Sequence, residues 1–78
     1  MGTTYRAELT AAAATLSAEL DALRQESIRL NAAVLASTAG SVECVILCAH
    51  AEGVRIAHQR TFEQWNATCA ELRDEQDL

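Results

Sequence analysis

The amino-acid sequence predicts an all-α protein: a two-helix antiparallel hairpin that dimerises into a four-helix bundle or coiled coil. Three observations lead to this fold class. Leucines recur every seven residues in the first half of the chain, no proline occurs, and a single turn-forming stretch lies near the middle. Three glycines and no proline provide too little turn chemistry for a β-sandwich or barrel. We therefore expect residues 1–78 to form a single helical-hairpin domain.

The first helix is expected over residues 4–37. Its interior is rich in alanine, leucine, glutamate and arginine, which all favour the helical conformation. Apolar or small residues recur at alternating spacings of three and four, which is the contact line of a coiled coil. That line consists of Leu9, Ala13, Leu16, Leu20, Leu23, Ser27, Leu30 and Val34.

The turn is expected over residues 38–41, and the second helix over residues 42–75. Gly40 supplies the left-handed conformation that ends many helices, and Ser41 is a favourable N-cap residue. The apolar line of the second helix has the same spacing as the first. It consists of Leu47, Ala51, Val54, His58, Phe62, Trp65, Cys69 and Leu72.

Two helices of similar length joined by a few residues must lie antiparallel. This arrangement pairs positions whose residue numbers sum to about 78. Leu16 then lies opposite Phe62, and Leu20 lies opposite His58.

A second apolar line on each helix remains outside this contact. Both second lines lie near the turn, and exposed apolar patches usually mark an interface. We therefore expect a homodimer, with close helix packing around Gly53 favoured over a helix kink. The residues expected at this self-association interface are Ile28, Ala32, Leu35, Ile46, Ala49, Gly53, Ile56 and Ala57.

The charge and the hydropathy restrict the classes of partner. The chain has eleven acidic residues, six arginines and no lysine, which gives a formal charge of −5. This negative charge argues against nucleic acid and anionic lipid as partners. The most apolar stretch, residues 32–51, contains Glu43 near its centre, which offsets most of the energy of membrane insertion. An odd number of cysteines without a secretory signal suggests a cytoplasmic protein.

No catalytic, cofactor or metal site is expected. Cys44 and Cys48 lie one helical turn apart, but His50 points away from them and a zinc site needs four ligands. A buried structural role explains these cysteines more simply. A Cys–His nucleophile pair would lack a third orienting group, and the isolated glycines form no phosphate-binding loop.

Aromatic and charged residues far from the turn are the candidates for binding another protein. Tryptophan and arginine are favoured interface anchors, and an acidic tail can attract a basic partner. The candidates are Tyr5, Arg60, Trp65, Arg73, Asp74 and Glu75.

The leading hypothesis for function is a non-catalytic protein-binding module with an unidentified protein target. A short acidic chain without an active site suits an inhibitor encoded by a phage or mobile element, acting on a host regulatory, defence or motor protein. One alternative is a structural protein that assembles with itself.

The predicted architecture of the protein suggests a further alternative function. A short helical hairpin that dimerises into a four-helix bundle resembles the Rop-type regulators of plasmid copy number, which bind RNA. The resemblance covers most of the chain but includes no diagnostic motif. It implies an RNA site built from Arg6, Arg24, Arg29, Arg55 or Arg60.

Overall fold

In the computed structural model, which describes residues 2–76 and the side chains of residues 4–75, the chain forms two helices. Helix α1 covers Gly2–Ala36 and helix α2 covers Val42–Gln76. Each helix has 35 residues and is therefore about 52 Å long. Because the structure measures 57 × 14 × 14 Å, the two helices must lie side by side along nearly their full length. The predicted all-α hairpin is confirmed.

The helix bounds differ from the predicted ones by one or two residues. Helix α1 begins two residues before the predicted start and ends one residue before the predicted end. Helix α2 begins at the predicted residue and ends one residue later than predicted.

The connection between the helices is held by local hydrogen bonds. Gly40 has a φ of +79°, a conformation that side chains with a Cβ rarely adopt. The Ser41 N–H donates to the carbonyl of Thr38 at 3.1 Å. The hydroxyl of Ser41 accepts a hydrogen bond from the Cys44 N–H at 3.1 Å, and its carbonyl accepts one from Val45. Both the left-handed glycine and the N-cap are confirmed.

The contact between the helices follows the predicted heptad line of α1. All eight positions of that line are half-buried or buried, and Leu30 is only 1% exposed. On α2, Val54 is 8% exposed. Among the described residues these two are the only buried hydrophobic side chains, so the hairpin has a very small core.

The contact line of α2 departs from prediction at Phe62. This side chain was expected to pack opposite Leu16, but it is 44% exposed, and Thr61 is half-buried beside it. The reason is rotational. Counted from the buried Val54, Phe62 lies about 80° around the helix and so reaches the edge of the contact, whereas Thr61 lies within about 20° of Val54.

Candidate functional site

The first half of α2 carries a row of apolar residues on its outer face, which is turned away from α1. The row is displaced around the helix from Leu47 and Val54, which contribute to the contact with α1. Val42 is 77% exposed, and Val45 and Ile46 are each 62% exposed. We call this row the outer stripe, which consists of Val42, Val45, Ile46, Ala49, Gly53 and Ile56, all of them exposed.

Four members of the outer stripe were expected at a self-association interface. Val42 and Val45 were not, although the same spacing of three and four residues extends back to them from Ala49. Ala57, which was expected in that interface, is half-buried. The stripe therefore begins at the first residue of α2.

The α1 residues expected at the same interface lie elsewhere. Ile28 is 60% exposed and lines the open side of the hairpin together with Arg55. Ile46 lies nine residues before Arg55, which is about half a turn around α2. Leu35, at 87%, and Ala32 are exposed on α1 near the turn. The structure thus separates the seven exposed members of the expected interface into two surfaces, one on each helix.

A groove follows one side of the hairpin between the helices. Two depressions on that side share Arg24 and His58, so they are continuous. Predominantly apolar atoms surround the groove, and its charged lining residues are two arginines and one aspartate. The residues that line it, and that define the groove, are Ser17, Leu20, Asp21, Arg24, Ser27, Ile28, Val54, Arg55, His58, Phe62 and Trp65.

An aromatic pair lies at one end of this groove. The ring centroids of Phe62 and Trp65 are 6.0 Å apart with a tilt of 33°, which is within the range of favourable aromatic contacts. Trp65 is half-buried beside Leu20, and Phe62 is the more exposed of the two. Trp65 was a predicted binding residue, whereas Phe62 was assigned to the core.

Tyr5 lies near the chain ends and is bonded to α2. Its hydroxyl donates a hydrogen bond of 2.6 Å to a carboxylate oxygen of Glu71. This hydrogen bond, with the negative charges of Glu71 and Glu75, raises the pKa of Tyr5 above its usual value of 10.0. The structure therefore brings Tyr5 and Glu75 together, but both lie well along the hairpin from Trp65.

The remaining predicted binding residues do not join the groove lining. Arg60, Arg73 and Asp74 are exposed on α2, and Glu75 is half-buried. The structure thus places Trp65 in the groove, Tyr5 on α1 near the chain ends, and the other four candidates elsewhere on α2.

Three arginines form ion pairs with the acidic residue three positions earlier on the same helix. Arg24 lies 3.3 Å from Asp21, Arg55 lies 2.7 Å from Glu52, and Arg29 contacts Glu26. The hydrogen bonds from Arg29 and Arg55 lower the pKa values of Glu26 and Glu52. Because these pairs are exposed, they stabilise the fold little. They do, however, neutralise three of the five arginines implied for an RNA site.

The cysteines near the turn are in different environments. The Ser37 hydroxyl, and then the Cys48 thiol, lower the pKa of the half-buried Cys44 thiol. Because the Ser37 hydroxyl donates to the Val34 carbonyl at 2.7 Å, it must rotate to stabilise a thiolate at Cys44. Desolvation raises the pKa of Cys48.

All three cysteines are free. In the part of the chain that the structure describes, no three His, Cys, Asp or Glu side chains cluster closely enough to hold a metal ion.

Comparisons with protein families, with curated proteins and with solved structures found no match to this chain. Within residues 2–76, neither helix has a segment apolar enough over a sufficient length to cross a membrane.

Proposed function

We propose that this protein is a non-catalytic protein-interaction module that acts as a homodimer in the bacterial cytoplasm. The distribution of apolar side chains carries this proposal. Among the described residues two hydrophobic side chains are buried, whereas eight large ones remain exposed. Exposed apolar patches on a small helical protein are typical of surfaces that bind other proteins.

The groove is the proposed binding site for the target protein. Phe62 and Trp65 offer aromatic surface next to Arg24, and aromatic and arginine side chains are the commonest anchors of protein interfaces. A groove between two helices fits an amphipathic helix of a partner. The partner helix would place an apolar side chain against Phe62.

The proposed role is to modulate the target by occupying its surface. The chain is short and carries a formal charge of −5, which favours association with a basic partner. These properties suit an inhibitor of a host regulatory, defence or motor protein, encoded by a phage or mobile element.

Affinity capture from a bacterial lysate tests this function with three immobilised proteins. These are the wild type, Phe62→Glu in the groove, and Leu35→Glu as the matched control. Leu35 is 87% exposed and lies outside the groove lining, so both changes add the same charge at an exposed apolar position.

Quantitative mass spectrometry should find at least one protein retained by the wild type and the control. Phe62→Glu should reduce its recovery about tenfold, because the charge must be desolvated in the interface. Equal capture by all three proteins, or no capture above bare resin, would contradict the proposal.

A separate titration of the protein with RNA tests the alternative function, which is RNA binding. Because Arg24, Arg29 and Arg55 face carboxylates on their own helices, we expect no tight RNA binding at low or moderate salt. Salt-sensitive binding of RNA by the wild type would replace the protein-target proposal with an RNA-binding one.

A further inference from the structure

We propose that two copies of this chain pair through the outer stripe of α2, with the two α2 helices antiparallel about a two-fold axis at Ala49. This inference rests on the homodimer in the proposed function, and it identifies the face and the register of that dimer. The groove and the aromatic pair would remain accessible to the target in this arrangement.

The surface area of the hairpin supports a second copy as the occupant. A compact monomer of 8.4 kDa has an accessible surface of about 4,600 Å². This chain has 5647 Å², an excess of roughly 1,000 Å². A stable interface of standard size buries about 800 Å² on each partner. The excess accessible surface is therefore similar to the area that each chain would bury on pairing with one further copy.

The outer stripe is self-complementary when it is paired antiparallel. A two-fold interface brings the same residues together from both copies. Centred on Ala49, it places Val45 against Gly53 of the second copy, and Val42 against Ile56 of the second copy. Large side chains thus meet small ones near the axis, as close helix packing requires.

The length of the stripe agrees with this register. The stripe begins at Val42, the first residue of α2, and the register pairs that residue with Ile56. The next position on the same face is the exposed Arg60, which would lie beyond the first residue of the partner helix. The apolar face therefore ends where the partner helix ends.

Packing inside the hairpin does not account for Gly53. A methyl group at this position would meet no atom outside the helix's own backbone within 4 Å, in the described part of the chain. Glycine is nevertheless disfavoured in a helix interior, where it is more flexible than alanine. Close approach of Val45 from a second copy provides a reason for a residue without a side chain.

The test compares the mass in solution of the full chain and three variants by light scattering over a range of concentrations. Ile46→Asp places a charge in the stripe, and Gly53→Gln fills the space near the axis. Leu35→Asp is the matched control, because Leu35 lies at the same end of the hairpin but on α1. Far-UV circular dichroism confirms that each variant is helical.

The wild type and Leu35→Asp should have twice the 8.4 kDa mass of one chain. Ile46→Asp and Gly53→Gln should weaken the dimer at least about tenfold. The Gly53→Gln variant keeps the test valid if Ile46→Asp fails to fold, since glutamine is a better helix former than glycine.

Cross-linking tests the register. In a chain with Cys44, Cys48 and Cys69 replaced by serine, Ala49→Cys should cross-link to itself through a short bismaleimide. The exposed position Ala32→Cys on α1 should not. Cross-linking at position 32 but not at position 49 would overturn the register.

Two outcomes would overturn the stripe interface: a monomeric wild type, or a dimer that persists in both Ile46→Asp and Gly53→Gln. Larger oligomers would overturn the two-fold pairing. These results are distinguishable from failure of target binding, because Phe62→Glu changes the groove and leaves the stripe unchanged. A stripe dimer without any Phe62-dependent capture would overturn the target-binding function alone.

Discussion

The hydroxyl of Tyr5 donates a hydrogen bond of 2.6 Å to the carboxylate of Glu71, 66 residues further along the chain. This contact joins α1 to α2 at the end of the hairpin that is opposite the turn. Because only a neutral phenol can donate this hydrogen bond, the contact favours the protonated form of Tyr5 and raises its pKa.

The pKa of Tyr5 should fall when this hydrogen bond is removed. Since the folded-state pKa is raised, the contact contributes stability below the unfolded pKa of 10.0 and loses it as the pH rises through the folded pKa. Tyr5 is the only tyrosine, so an ultraviolet titration of phenolate reports on it directly. We expect a lower midpoint in Glu71→Gln than in the wild type, with a smaller change in Glu75→Gln. Equal midpoints in all three proteins would show that the hydrogen bond is absent in solution.

Leu30 should be the most sensitive core position. It is 1% exposed, and truncation to alanine removes apolar contacts and leaves a cavity, which costs about 2–5 kcal/mol. Leu35→Ala is the matched control, because the 87% exposed side chain should cost less than about 0.5 kcal/mol. Urea denaturation followed by circular dichroism measures both values. A comparable loss in Leu35→Ala would mean that Leu35 is buried in an assembly.

Replacing Gly40 should destabilise the turn. A residue with a Cβ at a φ of +79° is strained, so Gly40→Ala should lower the free energy of unfolding by about 1–2 kcal/mol. Gly40→Asn should cost less, because asparagine tolerates the left-handed region better than alanine. Thermal unfolding of the three proteins gives the order. If alanine were tolerated as well as asparagine, the turn would have a different conformation in solution.

The Cys44 thiol should ionise at lower pH than the Cys48 thiol. The Ser37 hydroxyl favours the Cys44 thiolate, whereas desolvation disfavours the Cys48 thiolate. Alkylation by iodoacetamide across a pH series, read by peptide mass spectrometry, gives a midpoint for each residue regardless of its accessibility. Ser37→Ala should raise the midpoint of Cys44. Identical midpoints for the two cysteines in the wild type would refute this assignment.

The sequence determined the hairpin itself. The heptad line of α1, from Leu9 to Val34, follows directly from a spacing of three and four residues, and the structure buries or half-buries each of its positions. Gly40 and Ser41 likewise determine the turn by local geometry, since φ and the N-cap hydrogen bond depend on neighbouring residues only. Such features need no knowledge of the other helix.

Only the tertiary structure decided which apolar residues share a surface. Ile28 and Ile46 both belong to an apolar line near the turn. The packing of the two helices sets the relative direction of these two side chains, and they project from different sides of the hairpin. The exposure of Phe62 has the same origin, because this residue lies about 80° around α2 from the buried Val54, at the edge of the contact. Spacing along one helix gives the period of a face, but its direction relative to a second helix depends on how both pack together.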